Sequence, residues 1–270
     1  GLGDVYKRQD LALERKLEEK YGLTEALIAV PAYEQSSDQE VAFQAVDYIL
    51  RVLKKNMVFG MTWGRAMHEF VEQLAKDERL RSLSFQNVKV VPFLGTPGAI
   101  QSDSWNTTTY SNTLATKVGN LLHCASYNLS APMYVEGTKE KELIESIDEI
   151  AKVLHMAETA DIALIGIGSM QDDSSIIKAE IRTKEEYKEL VRKGAVGEIV
   201  GRIYDKNGQT VDEYLKRKMV GISLDKIAKI PVRVGMSYGK DKIEAIKGAI
   251  AGGLVNVLVT DVPTAELLLK

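Results

Sequence analysis

Apolar residues along this chain follow two alternating rhythms: a helical spacing with a polar opposite face, and short unbroken runs bounded by turn-forming residues. The helical spacing predicts helices over Leu11–Tyr21 with Gly22 as its stop, and over Asp38–Lys55 with Val41, Ala45, Tyr48, Ile49 and Val52 on one face. It predicts further helices over Arg65–Ala75, Thr108–Cys124, Lys139–Met156, Lys184–Lys193 and Lys240–Ala251, and one from Val262. The apolar runs predict strands at Ala26–Val30, Met57–Met61, Val88–Leu94, Asp161–Ile167, Val232–Met236 and Val255–Thr260. Runs such as Val88–Leu94 and Asp161–Ile167 lack a polar face, the mark of strands covered on both sides. The strand Ile199–Tyr204 differs, closing on Lys206-Asn207-Gly208, where Asn-Gly suits positive φ. The predicted fold is therefore α/β: a mostly parallel sheet with helices on both faces and a small embedded lobe at about residues 169–230.

Gly1 to Gln9 shows neither rhythm. Residues 1–10 are set aside as a junction or non-native segment, and 11–270 is taken as one domain of a larger protein. The net charge of −3 does not supply the basic face that nucleic acid requires, so any DNA-binding module is expected outside this chain. The single cysteine, Cys124, allows no internal disulfide and fits a reducing cytoplasm, where the sequons at Asn106 and Asn128 carry no meaning. No run approaches the about 20 apolar residues of a membrane span.

In an open α/β sheet, ligands bind beyond the carboxyl ends of the strands, so chemistry is sought in the strand-to-helix junctions. The first junction, Gly60-Met61-Thr62-Trp63-Gly64-Arg65, offers a hydroxyl at Thr62 and a glycine at Gly64 for close backbone approach. It also puts Arg65 in a first helical turn, where the dipole disfavours a cation unless an anion is bound; a solvated arginine is the alternative. The second, Gly166-Ile167-Gly168-Ser169, lacks a third glycine and a following helical pattern, which argues against a dinucleotide fingerprint. It leaves either a ligand-touching or a structural turn. The third places Ser237, Gly239 and Lys242 at another strand end, again with cations opening a helix. The last strand ends at Asp261, and Asp205 precedes the Asn-Gly turn. Each is either an acceptor for sugar hydroxyls or a local cap or turn former. His68, His123 and His155 fall within helical patterns, and no metal spacing, nucleophile elbow or P-loop is present. No cofactor, metal or catalytic residue is expected.

Five segments together resemble the sugar-binding domain of the SorC family of bacterial transcription regulators. They are Gly60-Met-Thr-Trp-Gly-Arg65, Asp161-Ile-Ala-Leu-Ile-Gly-Ile-Gly168, Gly194-Ala-Val-Gly-Glu-Ile199, Tyr204-Asp-Lys-Asn-Gly208 and Thr260-Asp-Val-Pro-Thr-Ala265, in family order from about Leu11 onward. The resemblance implies a fold like that of sugar-phosphate isomerases without their catalysis, a phosphorylated-sugar effector, a homo-oligomer (dimer or tetramer), and a helix-turn-helix domain before this one. It implies a phosphate cradle of Thr62, Gly64, Arg65 and the Ser237–Lys242 loop, with Asp205 on sugar hydroxyls and Gly166 and Gly168 lining the pocket. Two departures stand out: Ala66 replaces a hydroxyl residue, and Met236-Ser237-Tyr238 replaces a smaller pair. The alternative is a sugar-phosphate isomerase or deaminase, with Asp205 or Asp261 as base and Lys242 on the phosphate.

Overall fold

The computed structural model describes residues 2–30, 36–97 and 109–270, with side chains from residue 10. Thr108, the expected start of one helix, lies outside that range. The elements run α1 (Leu2–Tyr21), β1 (Glu25–Ala29), α2 (Ser37–Val52), β2 (Val58–Met61), α3 (Arg65–Ala75), β3 (Lys89–Pro92), α4 (Ser111–Leu122) and β4 (Ala125–Ser126). They continue with α5 (Thr138–Glu145), α6 (Asp148–Glu158), β5 (Ile162–Gly166), β6 (Gly168–Ser169), α7 (Ser175–Lys178), α8 (Lys184–Arg192), β7 (Ala195–Ile199) and β8 (Arg202–Asp205). The last are α9 (Glu213–Lys216), α10 (Leu224–Ile227), β9 (Val232–Met236), α11 (Ile243–Ala251), β10 (Val257–Asp261) and α12 (Val262–Leu269).

Seven strands form one sheet in the order β1-β10-β9-β5-β2-β3-β4, and every pairing in it is parallel. The unbroken apolar runs explain why. In β5, Ile162 and Leu164 point into a core shared with α2, α3 and α4, while Ala163 and Ile165 point into the core on the other face. Only a strand buried on both faces tolerates that composition. From β2 the chain winds outward through β3 and β4, then returns at β5 and winds the other way through β9 and β10. The strand order thus reverses between β2 and β5, and a crevice opens where their following loops diverge.

The embedded lobe is a three-stranded antiparallel sheet, β6-β7-β8, with short helices around it. Here the predicted single strand Ile199–Tyr204 is corrected. Ile199 ends β7 and pairs with Arg202, the first residue of β8. Between them Val200 (φ 55°) and Gly201 (φ 70°) are both left-handed, the signature of a two-residue hairpin turn. Tyr204 lies across Gly197, where a Cβ would fall 2.5 Å from the phenol oxygen, and its hydroxyl donates to the Ala245 carbonyl of α11 at 2.7 Å. The lobe is fastened to the main body by that bond.

Two further expectations change. The helix expected over Lys139–Met156 is two, α5 and α6, because Ser146 turns its hydroxyl onto the Leu143 carbonyl (2.6 Å) and Ile147 adopts an extended conformation. A serine that competes for backbone acceptors is a helix interrupter that apolar spacing does not register. At the other end, α1 begins at Leu2 rather than Leu11, so most of the segment set aside is helical. This helix covers the sheet edge: Glu18 and Glu14 carboxylates accept the outward N–H groups of Ala26 and Ile28 in β1, both at 3.0 Å. An edge strand whose donors are taken is closed to pairing with another chain.

Candidate functional site

Three junctions converge at the reversal of strand order: the loop after β2, the turn after β5 and the loop after β9. They enclose a cavity of about 370 Å³, with α7 and Glu198 of the lobe as its far wall. Of the residues singled out from sequence, Gly64, Arg65, Gly166, Gly168, Ser237, Gly239 and Lys242 line it. A wider hollow of about 750 Å³ lies at the opposite end of the sheet, where β2, β3 and β4 begin, and it holds none of them.

Helix α3 starts at Arg65 behind Gly64, which has φ 109° and offers no side chain to cap the helix. Ser36, Ser174, Thr183, Asp212, Ser223 and Asp261 cap their own helices with side-chain oxygens, whereas α4, α5, α6 and α11, like α3, have no side-chain cap. Among the described residues no side chain caps the first-turn N–H groups of α3, which leaves them to an external acceptor beside an exposed guanidinium. Among the described residues, neither Arg65 nor Lys242 has an ion-pair partner within 4 Å. Opposite, the 3₁₀ turn Lys240–Lys242 follows Gly239, with φ 113°, whose own N–H donates to Thr264 Oγ1 at 2.8 Å.

Two expected site residues are placed elsewhere. Thr62 is buried beneath the cavity, where its hydroxyl accepts the Gly166 N–H at 3.0 Å and braces the β5 turn against the β2 loop. Asp205 lies outside the lining, and its Oδ1 accepts the N–H groups of Asn207 and Gln209, the work of a turn former. Asp261 likewise caps α12 by accepting the Thr264 N–H at 3.0 Å.

Sequence reasoning passed over Glu198. It is buried in the cavity wall, and its side chain accepts the Gly201 N–H and a hydrogen bond from the Trp63 indole. Burial pushes its carboxyl up to about 7; the Gly201 N–H, the Lys242 charge and the Trp63 indole pull the other way. A Cβ on Gly168 would lie 2.8 Å from the Glu198 carboxylate, so glycine there makes room for it. Nothing in the run Gly194–Ile199 distinguishes this glutamate from a solvated strand residue, since its burial depends on the hairpin folding under the β5 turn. Asp241 and Ser169 also face the cavity, joined by a hydrogen bond of 3.2 Å. In all, three cations and five carboxylates line it.

The arrangement suits a small polar ligand with an anionic end. Among the described residues no group of three or more acidic, histidine or cysteine side chains is gathered to hold a metal. No helix among them is long and apolar enough to cross a membrane.

Residues 7–270 match the family model described as "Putative sugar-binding domain". The chain is 30% identical over 266 residues to the sorbitol operon regulator of Klebsiella pneumoniae, covering 97% of this chain and 81% of that protein. It is 26% identical over 263 residues to the transcriptional regulator LsrR of the same species, covering 96% and 76%. The crystal structure of the full-length sorbitol operon regulator SorC from Klebsiella pneumoniae superposes with a TM-score of 0.85 at 29% identity, over 97% of this chain and 81% of that one. The parallel sheet, the cavity at its reversal point and these matches have one conclusion: over residues 7–270 the chain belongs to the sugar-binding domain family found in SorC-type transcription regulators.

Proposed function

We propose that this domain binds a phosphorylated sugar as the effector of a transcription regulator of carbohydrate genes. The phosphate would lie against the first turn of α3, held by its free N–H groups, Arg65 and Lys242. The sugar would reach across to Ser237, the Gly166–Gly168 turn and Glu198. One observation carries this reading: Gly64 leaves α3 without a side-chain cap toward the cavity while Arg65 stands in its first turn, an arrangement that a bound anion would favour. DNA contact is assigned to a helix-turn-helix domain preceding residues 11–270, and signal transmission to a homo-oligomer in a cytoplasmic setting. The relatives' names as regulators support the role in transcription control. A titration calorimetry pair tests it. A hexose phosphate should bind and the same unphosphorylated hexose should not; equal binding of both would remove the phosphate from the account.

A second reading, turnover of the bound sugar, rests on Glu198 alone. A buried carboxyl titrating near neutrality is suited to moving protons. Asp205 and Asp261, the bases considered from sequence, are committed to a turn and a cap.

A further inference from the structure

The cavity presents a charge problem. Its lining carries more carboxylates than cations, yet its open helix start, with Arg65 and Lys242 beyond ion-pair distance of any carboxylate among the described residues, calls for an anion. Asp241 is where the conflict is sharpest. It stands beside Lys242 in the turn after β9, with Oδ1 folded back against Gly239, 2.8 Å from where a Cβ on that glycine would be. Its Oδ2 accepts the hydroxyl of Ser169 from β6 at 3.2 Å, across the gap between main body and lobe. The carboxylate thus lines the same cavity as the groups assigned to the phosphate, beyond ion-pair distance from Arg65 and Lys242 and anchored from the far side.

We propose that Asp241, latched to Ser169, is a fixed carboxylate that guards the empty cavity by repelling anions. An incoming anionic group must break the Ser169–Asp241 bond and turn the carboxylate out toward solvent, where Asp241 is already largely exposed. The latch rests on the phosphosugar reading of this site. It makes entry selective: an anion alone must work against Asp241, whereas a phosphosugar also gains sugar contacts with which to displace it. Releasing Ser169 frees a hydroxyl on the lobe wall for the ligand, so the same event changes how the lobe is tied to the main sheet.

The test uses inorganic phosphate, the anion without a sugar body, titrated calorimetrically into the full chain at low salt. Asp241→Asn keeps the shape and the bond to Ser169 but removes the charge, so phosphate affinity should rise about tenfold. The gain should shrink as added salt screens the interaction. Ser169→Ala frees the carboxylate without neutralising it, and phosphate affinity should rise by a smaller factor. Asp241→Asn also removes an acid from a helix start, so its melting temperature should fall slightly while its affinity rises. A purely structural residue would lower both. If the parent binds phosphate and Asp241→Asn binds it equally or more weakly, the latch is overturned and the site stands. If neither the parent nor Asp241→Asn binds phosphate, the site reading falls and the latch falls with it.

Discussion

Arg65 and Lys242 stand on separate junctions yet face one cavity, and among the described residues neither has a carboxylate within ion-pair distance, which leaves each open to a ligand anion. Arg65→Ala and Lys242→Ala should each weaken phosphosugar binding by about 1.5–3 kcal/mol, the range for hydrogen bonds to charged groups; calorimetry at fixed ionic strength reads this directly. Parental affinity in both variants would place the phosphate elsewhere. Glu198 makes a pH prediction of a different kind. Its folded pKa, about 7, lies above the ordinary 4.5, so between those values the folded state holds a proton that the unfolded state has released. Stability from this group is fully present below pH 4.5, declines as pH rises toward 7, and is level beyond. Denaturant unfolding of Glu198→Gln across that window should lack this decline; a slope identical to the parent's would mean that Glu198 is ionised in the fold. Arg65 was legible in the sequence because a cation at a helix start is out of place. Glu198 was not, because a glutamate in a strand becomes unusual only once its surroundings bury it.

At the scale of elements, the lobe depends on Asp212. Its two oxygens accept from Arg182 Nε and Nη2 at 2.8 and 2.7 Å, and Oδ1 also caps α9 through the Leu215 N–H at 3.0 Å. Asp212 is almost wholly buried. Asp212→Ala leaves the Arg182 guanidinium without its strongest partner and should destabilise the domain by about 3–5 kcal/mol in chemical denaturation. A loss below about 1 kcal/mol, the level of a surface pair, would contradict it. The main sheet's elements were the readable ones, since β2, β3 and β5 are runs that only two-sided burial explains. The lobe and the α5–α6 break were less so. Val200-Gly201 reads as an apolar residue before a glycine, and its left-handed turn appears only when β7 and β8 pair. Ser146 and Ile147 keep the helical apolar spacing while breaking the backbone. Asp205 was a candidate by position, and the fold shows its Oδ1 accepting two local N–H groups outside the cavity lining.

For the whole molecule, the cavity's walls come from the parallel sheet on one side and the antiparallel lobe on the other, so a ligand that fills it joins the two. Such a ligand binds the native state alone and stabilises it by mass action, by about 2.7 kcal/mol at a hundred times its Kd. The most direct measurement of the central claim is a thermal-shift screen of the chain against paired phosphorylated and free sugars, with each well assayed for product. A rise in melting temperature with selected phosphosugars, none with their free counterparts, and no product is the predicted result. Product formation would make the domain an enzyme, and the absence of any shift across the phosphosugars would contradict the proposed effector class.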